Sequence, residues 1–302
     1  MPAPTASPRA PLLVVAAATL WGTTGTAQAL GPDGASPLAV GSARNVVGAL
    51  VLLGVAALRG RLREGAHRLP RRPLVLAAAA TGAYQLCFFG GVRLAGVAIG
   101  TVVGVGSGPV WGGLLGWVGR GERPGGRWTL ATALALAGAA LLATTTSDGE
   151  PIDPWGIVLA LGAGLTYAAF ALWSKELTDH HDPDLVMTWV FAVSAALLVP
   201  VGLLAGIGPL VSVDGAAMAL WLGVGSLAAS YLLFGRGIAG VTVAAATTLS
   251  LAEPLTAATL GVVVLDEHLT GVAVAGMVLV FAGLAVLAVR PRPWRARVPP
   301  DL

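Results

Sequence analysis

The segment 234-FGRGIAGVTVAAATTLSLAEPLTAATLGVVVLDEHLTGVAVAGMVLVFAGLAVL-287 has a counterpart 145 positions earlier, 89-FGGVRLAGVAIGTVVGVGSGPVWGGLLGWVGRGERPGGRWTLATALALAGAALL-142. Phe89-Gly90 falls on Phe234-Gly235, Pro109 on Pro254, Glu122 on Glu267 and Gly138 on Gly283. Upstream of both, Leu20 falls on Leu165. A constant offset without gaps, held over such separated points, marks an internal duplication, and a duplication decides the architecture before any single element is read.

Outward from this pair, apolar runs of about twenty residues recur to both ends of the chain, each long enough to cross a hydrocarbon core of roughly 30 Å as a helix. Of the 302 residues, 56% are hydrophobic and 11% charged, against roughly a quarter charged in soluble domains. The mean hydropathy is +0.81. Abundant glycine (42 residues) suits close packing of transmembrane helices. The fold class is therefore all-α, a polytopic membrane protein. Spans are expected at 11–30, 37–58, 73–92, 95–117, 128–147, 155–174, 185–205, 215–235, 238–265 and 270–289. Pro37 and Pro73 fit the first turn of a helix, where a missing N–H costs nothing. Short connections imply that consecutive helices are antiparallel neighbours.

Each copy of the duplication holds five spans, an odd number, so the second copy is expected upside down relative to the first. Ten transmembrane helices then form two inverted five-helix repeats, 11–147 and 155–290, with an external linker at 148–154. Residues 1–10 are expected to be disordered and 291–302 to form a cytoplasmic tail. Arg9 before an apolar stretch and 27-AQA-29 mimic a cleaved leader. The repeat needs this helix, so it is read as retained. Inverted repeats suit a transporter whose halves rock about a site near the midplane.

The basic residues orient the chain. With a cytoplasmic N-terminus, the inner segments carry Arg9, the arginines of 59-RGRLREGAHRLPRR-72, Arg120, Arg123, Arg127, Lys175 and the arginines after 289. The outer loops are expected to keep Arg93 and Arg236 and to hold Asp33, Asp148, Glu150, Asp153 and Asp214. This positive-inside asymmetry accounts for the net charge of +3 without nucleic acid. Lys175 is the single lysine among 18 basic residues, and this bias towards arginine, with abundant alanine and glycine, points to a GC-rich bacterial source and hence a plasma (inner) membrane. Cys87 excludes an intrachain disulfide and reads as a small core residue. No cofactor or metal is expected, and G-x-x-x-x-G-K-[ST] is absent, so ATP is not the direct energy source.

Both quoted segments resemble EamA repeats, with a proline within a helix, a Gly-Glu-Arg-like turn and a glycine-containing closing helix. The opening 20-LWGTTGTA-27 and Arg44 resemble the same family. The chain is thus identified as a member of the drug/metabolite transporter superfamily along essentially its whole length. In 266-DEH-268 the arginine of the turn is replaced by His268. The resemblance implies a central cavity lined by the third, fourth, eighth and ninth helices, which favours Tyr84, Ser107, Tyr231 and Glu253.

Glu253 lies about halfway along an apolar span, where a charge costs roughly 2.5–3.5 kcal/mol. It should face water, be paired or be protonated. Pro254 cannot donate to the Ser250 carbonyl, so a kink and an exposed acceptor are expected beside it. The alternative is a glutamate bonded between helices for structure alone. Gly108 at the matching position of the first repeat favours function. Arg44, about eight residues into the second span, is read either as reaching outward to the surface or as binding substrate or pairing with Glu253. Trp21 joins the candidates for substrate or coupling, ahead of other aromatic and hydroxyl groups such as Tyr167, Trp189, Ser230 and Ser250. Pro109 and Pro254 are candidate hinges. Trp128 and Trp155, at helix ends, are expected to anchor to headgroups. Glu122 and Glu267 are both read as turn or capping residues on the cytoplasmic side, with gating contacts as the alternative.

The leading expectation is a secondary transporter, exporting a small metabolite, amino acid or drug-like amphiphile, with Glu253 as the proton-responsive group. An uncoupled facilitator is equally compatible. The rival from another class is a membrane-embedded lipid-modifying enzyme. Its sole support would be 175-KELTDHHDPD-184, whose plainer reading is a solvated charged loop.

Overall fold

A computed structural model of the chain describes residues 9–62, 65–95, 97–144, 153–265 and 270–288. The expectations for the N-terminal segment, the turn holding Glu267 and the C-terminal tail fall outside them. Ten helical spans follow one another: α1 (Ala10–Ala29), α2 (Pro37–Leu58), α3 (Arg71–Ala95), α4 (Val97–Arg120), α5 (Gly126–Thr144), α6 (Pro154–Thr178), α7 (Pro183–Ala205), α8 (Val213–Ile238), α9 and α10 (Gly271–Ala288). α9 is discontinuous, with halves α9a (Val243–Leu249) and α9b (Ala252–Leu265). Seven of the described spans are each long and apolar enough to cross a membrane.

The helix starts are written locally. Ser36, Asp153 and Asp182 each precede a proline and accept from the backbone N–H of Ala39 (3.2 Å), Trp155 (2.9 Å) and Leu185 (3.1 Å). The cap satisfies one orphan donor, and proline supplies a first-turn residue with no N–H to satisfy. Thr242 caps α9a in the same way, through Ala245 N at 3.1 Å. That cap is why the ninth span begins at Val243 and not at 238, with α8 extending to Ile238.

The closest packing is between the repeats, not between consecutive helices as short connections would suggest. α3 lies on α6 and α4 lies on α6; their counterparts, α8 on α1 and α9 on α1, repeat the arrangement. α2 packs on its own mate α7, and α5 on its mate α10. The α5–α10 seam shows the relation at atomic detail. A Cβ on Gly138 would meet Gly276 O at 2.5 Å and Val280 N at 2.7 Å. One on Gly283 would meet Ala131 O at 2.6 Å and Ala135 N at 2.9 Å. Shifted by 145 positions, each contact becomes the other. The halves are related by an internal two-fold, and five spans per half make that relation an inversion.

Two loop placements are corrected. Arg236 was expected on the outer side, yet it donates to Asp184 (2.8 and 2.7 Å), which also accepts from Arg59 (2.9 Å). Arg236 therefore shares the membrane face of Arg59, as alternation of ten spans requires, and that face becomes more basic. Trp128 is no headgroup anchor either, because its indole N–H donates to Ala244 O (3.0 Å) between α5 and α9a. The stretch 175–184 is only partly the solvated loop expected: Glu176, His180 and Asp182 are exposed, but Lys175 is buried within α6 and donates to the Ile238 (3.2 Å) and Ala239 (3.5 Å) carbonyls.

The seam makes a direct prediction. Gly138→Val should destabilise the detergent-solubilised protein by about 2–3 kcal/mol through overpacking against backbone. Gly25→Ala, with nothing within 4 Å of the new Cβ, should leave the melting temperature unchanged.

Candidate functional site

The site grows from the break in α9. Pro254 leaves the Ser250 carbonyl without its usual i+4 donor, and Glu253 N takes it instead at 3.0 Å. The turn at Ser250–Leu251 separates α9a from α9b and puts Glu253 in the first turn of α9b. There the N-terminal end of the helix dipole favours a negative charge. Pro109, its mate, leaves α4 uninterrupted. Discontinuous backbone at membrane depth is tolerated where it lines a cavity or is buried in protein.

Glu253 is partly accessible, and among the described residues its carboxylate has no hydrogen-bond or ion-pair partner. α1 makes room for this turn of α9b. A Cβ on Gly22 would lie 2.6 Å from Glu253 O and 2.6 Å from Thr256 Cβ. In the other half the corresponding contact is reversed in size, with Tyr167 against Gly108. The two-fold thus pairs Gly22 with Tyr167 and Gly108 with Glu253. One contact supplies a ring and the other a carboxylate.

All three tyrosines of the chain gather around Glu253 closely enough to feel its charge: Tyr84 of α3, Tyr167 of α6 and Tyr231 of α8. Tyr167 bonds Ser250 Oγ in the break, and Ser250 Oγ donates on to Ala246 O (2.9 Å), so Tyr167 is the donor. Trp21 is the hinge-pin of the wall. It is buried, donates from Nε1 to Ser230 Oγ (2.9 Å), and packs on Tyr231 (ring centroids 5.0 Å apart), Phe234 (5.4 Å) and Tyr167 (6.2 Å). Tyr84 stacks on Phe88 at 5.5 Å.

Arg44 turns inward, which decides against the snorkelling reading. Its Nη2 donates to Ser226 O at 2.9 Å, and its Nε is buried without a partner. Ser226 lies in a π-helical turn, Val224–Ala229, in the middle of α8. Single π turns are frequent at functional sites because they offset the carbonyl ladder. Here the Ser226 carbonyl accepts from both Arg44 and Ser230 Oγ (2.7 Å). Arg44 is the cationic neighbour of Glu253, Tyr84 and Tyr231, yet it forms no direct ion pair with the carboxylate.

Of the residues singled out in the sequence, Glu253, Arg44, Tyr84, Tyr231 and Trp21 share this neighbourhood. Ser107 does not point into it. Its Oγ donates to Gly104 O (3.4 Å) and sits against Gly164 of α6, where a Cβ would come within 2.0 Å. Tyr167, Ser250 and the π turn at Ser226 were not among the foremost candidates. Tyr167 was discoverable as the third of three tyrosines at mid-span depth; the π turn has no sequence signature here.

The comparisons agree with the geometry. The chain belongs to the EamA-like transporter family, whose pattern matches residues 8–144 and 154–289. It is 40% identical over 281 residues to the uncharacterized transporter YwfM of Bacillus subtilis (strain 168), covering 93% of this chain and 94% of that one. It is 28% identical over 191 residues to a probable amino-acid metabolite efflux pump of Escherichia coli (strain K12), covering 59% of this chain and 62% of that one. A crystal structure with 20% sequence identity superposes with a TM-score of 0.80, covering 92% of this chain and 95% of the other, and shows the same fold. The protein is a membrane transporter and not an enzyme.

Trp21→Phe keeps a ring but loses the N–H that Ser230 accepts. Thermal unfolding should show a loss of about 1–2 kcal/mol, with a larger fall in transport than in stability if the wall positions substrate.

Proposed function

We propose that the protein is a secondary transporter that exports a small metabolite, amino acid or drug-like amphiphile by alternating access, with Glu253 as the proton-responsive group. The observation that carries this reading is the pair of opposite charges, Arg44 and Glu253, each left without the other inside a wall of aromatic rings. A half-buried cation and anion that do not neutralise one another suit a zwitterion. The guanidinium would take a carboxylate, Glu253 an ammonium, and the rings of Tyr84, Trp21 and Tyr231 the apolar body. The efflux-pump relative acts on amino-acid metabolites by its name, which supports the same class.

Coupling follows from where the carboxylate sits. Exposing a charge to either side of the membrane costs less than carrying it across between the two. Protonated or bound to an ammonium, Glu253 can cross that closed state; bare and charged, it resists. A proton gradient thereby biases the two open states. The face carrying Arg59 is read as cytoplasmic, with both termini on that side, in the plasma membrane of a bacterium.

The purified protein in liposomes, loaded with a panel of zwitterionic, cationic and neutral metabolites, should show counterflow strongest for an apolar or aromatic zwitterion. Glu253→Gln should reduce flux by at least about tenfold and abolish its response to a pH gradient. Normal flux with an unchanged pH response in the mutant would refute coupling through this residue. PH-independent flux in the parent would identify an uncoupled facilitator.

A further inference from the structure

We infer that the charged contacts made between the two repeats among the described residues, which lie on the face of Arg59, form a one-sided latch that holds the transporter closed on that face. The inference rests on the alternating-access reading and adds which side is held and by what. One cluster joins α2 to α7 and α8. Arg59 donates to Asp184 (2.9 Å), Arg61 pairs with Asp182 (2.9 Å), and Arg236 grips Asp184 through two bonds. A second cluster joins α4 to α6 and α9a. Arg120 pairs with Asp179 of the other repeat and with its own neighbour Glu122 (3.0 Å).

Glu122 carries this second cluster into α9a. Gly121, at φ 68°, ends α4 in a left-handed turn, with Gly121 N donating to Trp117 O (2.9 Å) and Glu122 N to Gly116 O (3.0 Å). This helix-ending motif turns the Glu122 carboxylate across the gap, where Oε2 accepts from Val243 N (2.8 Å) at the first turn of α9a. The carboxylate of one repeat therefore caps a helix of the other, with the favourable dipole geometry of a helix N-terminus. Beneath it, α4 and α9a are in direct contact. A Cβ on Gly112 would lie 2.2 Å from Thr247 Oγ1, and one on Gly116 would lie 3.5 Å from Val243 Cβ. The path from Glu253 to this face is shut by packing and fastened by charge.

The duplication makes the one-sidedness testable by inspection. The inversion carries each latch position to the opposite face, 145 residues away in sequence. Arg59 becomes Leu204, Asp184 becomes Ala39, Arg236 becomes Gly91, Arg120 becomes Leu265 and Asp179 becomes Gly34, while Glu122 keeps its charge as Glu267. With the arginine partners of Asp184 and Asp179 all replaced, these ion pairs cannot form. Since the fold is otherwise matched between its halves, this difference in charge biases the equilibrium between the two access states, and it favours closure on the Arg59 face. The Arg120–Asp179 pair is partly buried, both side chains being 23% exposed, and is screened less by salt than surface pairs. The pairs of Asp184 are more open, since Arg59 and Arg236 are 51% and 45% exposed.

The test reads conformation, not flux. In a parent with Cys87→Ser, a reporter Thr247→Cys sits at the α4–α9a contact, where Thr247 is buried. A membrane-impermeant maleimide is applied to oriented vesicles from each face in turn, with and without Asp184→Asn and Arg120→Gln. Both substitutions remove charge and keep a polar side chain; Asp184→Asn also keeps its size. Labelling from the Arg59 face should be slow in the parent and rise about tenfold in the double variant, equivalent to a shift of about 1.4 kcal/mol in the opening equilibrium. Unchanged labelling in a variant that elutes and melts like the parent would overturn the latch. Equal labelling from both faces would also overturn it, because it reports a general loosening. Counterflow in the same vesicles separates the two ideas: increased labelling without any flux leaves the latch standing and refutes the transport reading.

Discussion

Everything in this molecule is arranged around the cost of a carboxylate in hydrocarbon. Among the described residues Glu253 has no partner, so it must have water, a ligand or a proton, and each requires a space reaching into the membrane. The chain creates that space by interrupting α9. Proline removes the donor for one carbonyl, the Glu253 N–H takes that carbonyl, and the first turn of α9b presents the side chain. Gly22 lets α1 close over the break on one side, and the Tyr167–Ser250 bond holds it on the other. A continuous ninth helix would offer no such terminus.

The second constraint is that inverted copies cannot both be identical and build an asymmetric site. The exchange of Gly22 and Glu253 for Tyr167 and Gly108 shows how the two-fold is broken at little cost in volume. The second repeat projects a ring from its first helix and an acid from its fourth, and the first repeat supplies glycine at both matching positions. Arg44 breaks the symmetry again, since its mate is Trp189. Its guanidinium needs an acceptor inside the bundle and finds one because α8 widens into a π turn. The cation and the distorted helix belong together; Arg44 without that free carbonyl would be a buried charge with nothing to bond.

Much of the fold was legible because hydrocarbon permits few solutions. Run length, repeat offset and first-turn prolines place the helices to within a few residues, and α2 at 37–58 coincides with its expected bounds. What escaped the sequence was geometry set by contacts between helices far apart in the chain. Arg236 looked like an outer-loop residue until its partner Asp184 was seen, and 175–184 looked solvated until Lys175 was found under two carbonyls at the end of α8. Glu253, Arg44, Tyr84, Tyr231 and Trp21 stood out as polar or aromatic groups in apolar runs. Ser107 shared that signature but spends its hydroxyl on its own helix, a choice no sequence pattern announces. Tyr167 became central through a bond to Ser250, 83 positions away.

The reciprocal glycine contacts of α5 and α10 have a bearing on ancestry. An interface in which residue i touches j while the mate of j touches the mate of i is isologous, the kind two identical subunits form about a dyad. Gly138 and Gly283 preserve that pattern inside one polypeptide. The seam therefore has the form of a dimer contact between single five-helix units inserted in opposite directions, which a later fusion would have joined without needing to remake it.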